Sequence, residues 1–165
     1  MRVWRLGKTL PGQFDAKDMT GEGAYRYGGR WNSTGLHAIY ASLTPATAVL
    51  ESIVHLGRMF NPIDRYLIAI EIPDDIWNDD ETGVIRAKRL PKHWDAIPHH
   101  QATMLYGDRW LKAGKQLGMI VPSAVLEEES NIVLNPHHSF MSRLKIRKSR
   151  PFVFDLRLAS SIQTP

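Results

Sequence analysis

The chain has 165 residues, 43% of them hydrophobic and 9% aromatic, with 21 Lys and Arg against 17 Asp and Glu and no cysteine. That size and apolar share can bury an ordinary core and exclude intrinsic disorder, while the missing thiols exclude disulfides, iron–sulfur clusters, cysteine-ligated zinc and thiolate catalysis. A net charge of +4 is small for a dedicated nucleic-acid binder.

Residues 2–6 read as a first strand. Residues 11–35 are rich in Gly, Asp and aromatics, and a loop of that length inside a compact domain is usually functional. A short strand is expected at 38–42. Thr44 as cap and Pro45 at the first helical position then start a helix that Gly57 stops, with Ala46, Val49, Leu50, Ile53 and Val54 as its apolar stripe. Residues 66–73 form a strand ended by Pro73. The stretch 74–98 is irregular, with a short strand possible at 83–87 and a turn at 90–94. A second helix spans 101–117, with Met104, Leu105, Trp110, Leu111 and Leu117 facing inward and Gly118 as its stop. Four strand-like pieces follow, at 119–125, 131–134, 144–148 and 151–156. No repeat or linker divides the chain. The expectation is therefore a single domain over 1–165 of α+β class, with a central sheet of mostly short strands, or split sheets, flanked by helices.

No apolar run approaches the ~20 residues of a membrane span, and residues 1–8 lack a signal-peptide core. Together with the absent cysteines this suits the cytoplasm. Phosphate-loop, dinucleotide-fold, nucleophile-elbow and zincin motifs are all missing. The adjacent pairs His99-His100 and His137-His138 cannot both aim at one ion from a regular element, so no metal centre is expected and these read as exposed loop histidines.

What remains is a dispersed set of polar residues. Gly28-Gly29-Arg30-Trp31-Asn32 stands among Tyr25, Tyr27 and Tyr40. Two glycines let backbone approach a ligand, the guanidinium forks onto phosphate or paired hydroxyls, and tyrosines stack on flat rings. A glycine turn with a surface Arg and a buried Trp is the plainer alternative. Glu51 falls on the more polar face of the first helix, where a solvated carboxylate near His55 and Arg58 would be ordinary. Ser123 follows Pro122 at the end of a strand-like run, with Ser130 nearby. Asn131 and Asn135 bracket an apolar run, and Asn-Pro favours a turn.

Taken in order, Gly28-Gly29-Arg30-Trp31-Asn32, Ala38-Ile39-Tyr40-Ala41-Ser42, Ala48-Val49-Leu50-Glu51, Val121-Pro122-Ser123 and Asn131-Ile132-Val133-Leu134-Asn135-Pro136-His137-His138 resemble the RES domain family, named for an Arg, a Glu and a Ser. The resemblance implies a stand-alone toxin of a toxin–antitoxin pair, an ADP-ribosyltransferase-like fold and NAD as substrate rather than as cofactor. It places Arg30 and Glu51 as catalytic residues and Tyr27, Tyr40, Ser123 and Asn135 on the substrate. Cleavage of the nicotinamide–ribose bond would deplete NAD by hydrolysis or phosphorolysis, or hand ADP-ribose to a protein. A cognate Xre-type helix-turn-helix antitoxin would occlude the cleft, and contact DNA on the toxin's behalf. Two non-enzymatic alternatives stand beside this: a nucleic-acid binder using the basic strand 144–148 with aromatics elsewhere to stack bases, and an interaction module docking through the basic C-terminal strands or the acidic stretch 74–81.

Overall fold

The computed structural model describes residues 1–12, 15–56, 64–155 and 157, with backbone alone at 55 and 56. Among them seven strands, β1 (Arg2–Lys8), β2 (Ile39–Ser42), β3 (Arg65–Glu71), β4 (Val84–Arg86), β5 (Gly118–Pro122), β6 (Ser130–Leu134) and β7 (Lys145–Pro151), form one sheet in the order β4-β5-β6-β2-β1-β3-β7. Every neighbouring pair is antiparallel except β4 with β5. Helices α1 (Glu22–Tyr27), α2 (Pro45–Leu56), α3 (Asp74–Trp77) and α4 (Gln101–Ala113) and a 3-10 turn at Ser139–Arg143 lie on it. The fold is thus α+β, built on one sheet rather than split sheets.

The two-residue side-chain period of the strands divides the core. One face carries Val3, Ile39, Ala41, Ile68, Ile70, Ile120, Ile132 and Leu134, with Ala16, Ile76, Phe140 and Met141 packed over it from the 15–21 loop, α3 and the 3-10 turn. Each fully buried aliphatic there contributes roughly 1.5–3 kcal/mol, so this face carries most of the apolar stabilisation. On the other face Trp4 lies opposite Ser42, Ser42 opposite Asn131 and Tyr40 opposite Val133. Two separate clusters cover it. Val49 and Ile53 of α2 pack with Trp4, Leu6, Leu67 and Phe154, while Trp110 and Leu111 of α4 pack with Trp31, Met119, Val121 and Val133. The sheet floor between the clusters is polar, at Ser42 and Asn131.

Several elements differ from the sequence reading. The 11–35 loop contains α1, a six-residue helix whose start is organised from Asp18: its carboxylate accepts from the backbone N–H groups of Thr20 (3.0 Å), Gly21 (3.2 Å) and Glu22 (3.3 Å). Against the desolvation that would raise it, bonds from Thr20 and Glu22 and the charge of Arg5 hold the Asp18 carboxyl below the usual aspartate range. α4 stops at Ala113, not near Gly118, because Gly114 takes a left-handed conformation (φ 61°) and returns its N–H to the Trp110 carbonyl. Leu117 is buried in the opposite core, and Leu105 is 44% exposed. The apolar stripe on α2 is likewise only partly buried, with Ala46 and Val54 exposed and Thr47 and Ala48 buried instead. The piece at 144–148 is β7, which runs on to Pro151, and residues 152–155 of the strand expected at 151–156 carry no strand pairing. Gly57, the expected stop of α2, and Leu156 lie outside the described residues. His100 and His138 are caps, each accepting through Nδ1 from the N–H two residues on, Ala102 (3.1 Å) and Phe140 (3.2 Å). Among the described residues no helix is long and apolar enough to cross a membrane.

Candidate active site

The Arg30 turn is held from four sides. Gly28 adopts φ 69°, and the Gly29 N–H meets the Asn32 carbonyl at 2.9 Å, which puts Arg30 and Trp31 at the tip. Asn32 is fully buried; its Nδ2 donates to the carbonyls of Ala24, Ser33 and Leu36, each at 3.0 Å, and its Oδ1 accepts from the Tyr40 hydroxyl at 2.8 Å. That hydroxyl also accepts from the Trp31 N–H at 2.9 Å. Burial pushes the Tyr40 phenol well above its ordinary value, so it remains a donor. Ser33 gives its N–H (2.8 Å) and hydroxyl (2.7 Å) to the buried Asp108 carboxylate on α4. Gly107, one residue earlier, lets α4 lie against this turn: a Cβ there would stand 1.9 Å from the Trp31 carbonyl oxygen.

Arg30 Nη1 donates to the carbonyls of Trp94 and Ala96. Trp94 stacks on Trp31 with ring centroids 6.5 Å apart and planes at 19°. Burial lowers the Arg30 guanidinium from its usual range, and Glu51, Asp95 and Tyr40 oppose that shift, Glu51 most strongly. A guanidinium has five N–H donors, so the two carbonyl bonds leave it capacity to bind an anion.

Glu51 stands on the flank of α2 that faces β6. Its Oε1 accepts from the Ser123 hydroxyl at 2.7 Å and from Asn131 Nδ2 at 2.6 Å. The solvated-carboxylate alternative therefore does not describe it. The sequence stripe misjudged this flank because Thr44, Thr47 and Glu51 look like an outward polar face; here that face meets polar partners from the sheet and from Glu129, whose Oε2 accepts from Thr47 Oγ1 at 2.8 Å. His55's side chain and Arg58 lie outside the described residues.

Ser123 is 1% exposed. Besides its bond to Glu51, its oxygen accepts from the N–H groups of Val125 and Leu126, both at 3.1 Å. One donor and two acceptor positions exhaust a hydroxyl, so in this arrangement all three positions of Ser123 are taken by Glu51 and the turn after β5. Asn135 stands apart from these side chains. It lies four positions beyond Asn131, about 13 Å along the strand, buried with its amide on the Leu111 carbonyl (3.2 Å) and its Oδ1 under the His137 N–H (3.1 Å). It shapes the turn after β6. Tyr27 is 68% exposed at the end of α1, three residues before Arg30.

Arg30, Tyr40, Glu51 and Ser123 thus gather over one sheet face, between the two apolar clusters. Sequence reasoning gave no site role to Asn32, Ser42 or Asp108. The signal for Ser42 is its position in the strand register opposite Asn131, which requires knowing that β2 pairs with β6. An apolar groove of about 390 Å³ runs along the far flank of α2, lined by Val49, Leu50, Ile53, Leu67 and Phe152 with Arg150 at its edge. It offers none of these acid–base groups, so the polar cluster around Arg30 and Glu51 is the better site for chemistry.

Comparisons with known proteins bear on the same chain. Residues 2–155 match the RES domain. The chain is 36% identical over 155 residues, 94% of each sequence, to a protein of Sphingobium sp. named Prs ADP-ribosylating toxin. It is 36% identical over 144 residues to Toxin Res of Yersinia enterocolitica, covering 87% of this chain and 91% of that protein. The crystal structure of the M. tuberculosis MbcT–MbcA toxin–antitoxin complex contains a chain of similar fold, with a TM-score of 0.58 and 20% identity, covering 98% of this chain and 88% of that one.

Proposed function

Because this chain belongs to the RES domain family, we propose that it is the toxin of a toxin–antitoxin pair and that it breaks the nicotinamide–ribose bond of NAD in the notch between Arg30 and Glu51. The observation that carries this reading is the convergence of a guanidinium and a hydrogen-bonded carboxylate, 21 positions apart in the chain, on one sheet face, with Glu51 the strongest charge acting on Arg30.

The chemistry asks little of the protein. Cleavage sends the bonding pair onto the nicotinamide nitrogen and releases a neutral pyridine, so no general acid is needed, unlike the alkoxide departure of ordinary glycoside hydrolysis. Positive charge grows on the ribose as the bond lengthens, and Glu51 stabilises it. Arg30, tied to two loop carbonyls, holds a phosphate and so fixes the bond relative to the carboxylate. Tyr27 and the ring of Tyr40 border the nicotinamide. Water or inorganic phosphate then adds at the ribose carbon and loses a proton to solvent, and NAD is depleted in the cytoplasm. The fold is read as ADP-ribosyltransferase-like over the whole chain. Likeness to a relative named for ADP-ribosylation favours a second reading, in which a protein side chain is the acceptor.

Inhibition by an Xre-type helix-turn-helix antitoxin that plugs the notch follows from the family, with DNA contacted only through that partner. Mass spectrometry of NAD incubated with pure protein, with and without phosphate, tests the activity. Free nicotinamide with ADP-ribose or its phosphorylated form is expected, and a protein mass gain supports the second reading. Intact NAD in every arm, with no mass gain in added cell proteins, sinks the proposal.

A further inference from the structure

Asn131 sits on β6, opposite Ser42 of β2 and Val121 of β5, so its backbone is fixed from both sides. Its Oδ1 accepts from the Ser42 hydroxyl at 2.6 Å and its Nδ2 donates to Glu51 Oε1 at 2.6 Å. Ser42 is 3% exposed. A carboxylate only accepts, so Glu51 draws the Nδ2 end of the amide toward α2, and the Ser42 hydroxyl donates to the Oδ1 left facing it. Without that bond Oδ1 loses its partner and the amide is held through Nδ2 alone, so it can swing about its contact with Glu51.

We infer that Ser42 and Asn131 form a positioning relay for Glu51, working alongside Ser123 to fix the carboxylate from the rigid sheet. This rests on the reading of Glu51 as the group that meets the ribose. The Glu51 side chain has three rotatable bonds, and a carboxylate held by one donor can still swing about that contact. Two donors converging on one oxygen from two different strand ends remove that freedom. Neither Ser42 nor Asn131 touches the substrate in this account; both act through Glu51.

The test separates the relay from the activity. In a two-dimensional amide spectrum of the wild type, the Asn131 side-chain NH2 signals should be distinct and slow to exchange, and both Glu51→Gln and Ser42→Ala should shift them, whatever the substrate is. Kinetically, Asn131→Ala should lower kcat for NAD consumption about 10- to 100-fold with KM within about threefold of wild type, and Asn131→Asp, which replaces a donor by a like charge, should be worse. Ser42→Ala should reproduce part of the kcat loss and add little to Asn131→Ala. In a Glu51→Gln background, Asn131→Ala should change residual turnover by less than about twofold. Wild-type melting temperatures establish that the variants fold; where Asn131→Ala does not fold, Ser42→Ala carries the test. Asn131 signals unmoved by Glu51→Gln overturn the relay, as does an equal kcat loss in both backgrounds. A wild type inert on NAD overturns the functional reading instead, and the spectrum still decides the relay.

Discussion

In the function proposed, Arg30 has two tasks that a lysine could not share: its Nη1 bonds two carbonyls of the 94–96 loop, and its remaining donors would meet a phosphate as a planar fork. Arg30→Lys should therefore lose at least about 100-fold in kcat/KM for NAD, while melting within a few degrees of wild type. Loss under about threefold would show that only the charge matters. Ser123 makes the opposite prediction. Because its buried oxygen accepts two backbone N–H groups of the following turn, Ser123→Ala leaves donors unsatisfied and should cost about 1–3 kcal/mol in urea unfolding, besides lowering turnover. A residue that merely hydrogen-bonded ligand would show the second effect alone. Of these side chains, the family resemblance points to Arg30, Glu51 and Ser123, which residue type and spacing alone leave open. Sequence reasoning could not tell Asn131 from Asn135, because both flank the same apolar run and only the strand register shows which end meets α2.

The helices explain why the notch keeps its shape. α4 lies against the Arg30 turn through Gly107, whose missing side chain is required by the Trp31 carbonyl, and through Asp108, which grips Ser33. Gly107→Ala should push α4 off the turn. A destabilisation of about 1–3 kcal/mol is expected in chemical denaturation, with a fall in NAD turnover larger than that of a surface Gly114→Asn change at the end of the same helix. The start of α1 gives a pH signature. Asp18 has its folded value lowered, so its contribution is complete above the unfolded value near 4 and is lost as pH falls through the lower folded one. The stability gap between wild type and Asp18→Asn should be full at pH 7 and close below about pH 4; a gap constant down to pH 2 would show that the charge is irrelevant. α1 itself was illegible beforehand because Gly23 and a glycine at its cap weaken every local helix signal, whereas α2, with its Thr-Pro start, was legible over nearly its whole length.

Across the molecule, the sheet separates stability from chemistry. One face is aliphatic and closed, and the other holds two apolar clusters with polar ground between them, so the central strands support the site without contributing much of their own core to it. Strand order was not readable, because pairing of β2 with β6 joins segments separated by some 90 residues, and no local pattern encodes that closure. The basic segment after residue 142 is partly neutralised: Arg143 pairs with Asp75 and Arg147 with Glu71, both at 2.7 Å. These exposed pairs contribute little to stability, yet they dilute the charge a nucleic acid would meet. The isolated protein should accordingly show no retention of duplex DNA at about 0.15 M salt, measured by gel shift, and retention there would revive the nucleic-acid alternative.

The saturated oxygen of Ser123 also says how the protein can be blocked. Fluorophosphonates and sulfonyl fluorides label serines whose lone pair is exposed and primed; this one is wrapped in backbone and turned inward, so such probes should pass over it even at high dose. For the reaction proposed, a flat, cationic mimic of the breaking sugar, carrying a phosphate to engage the arginine, is the class of compound to make.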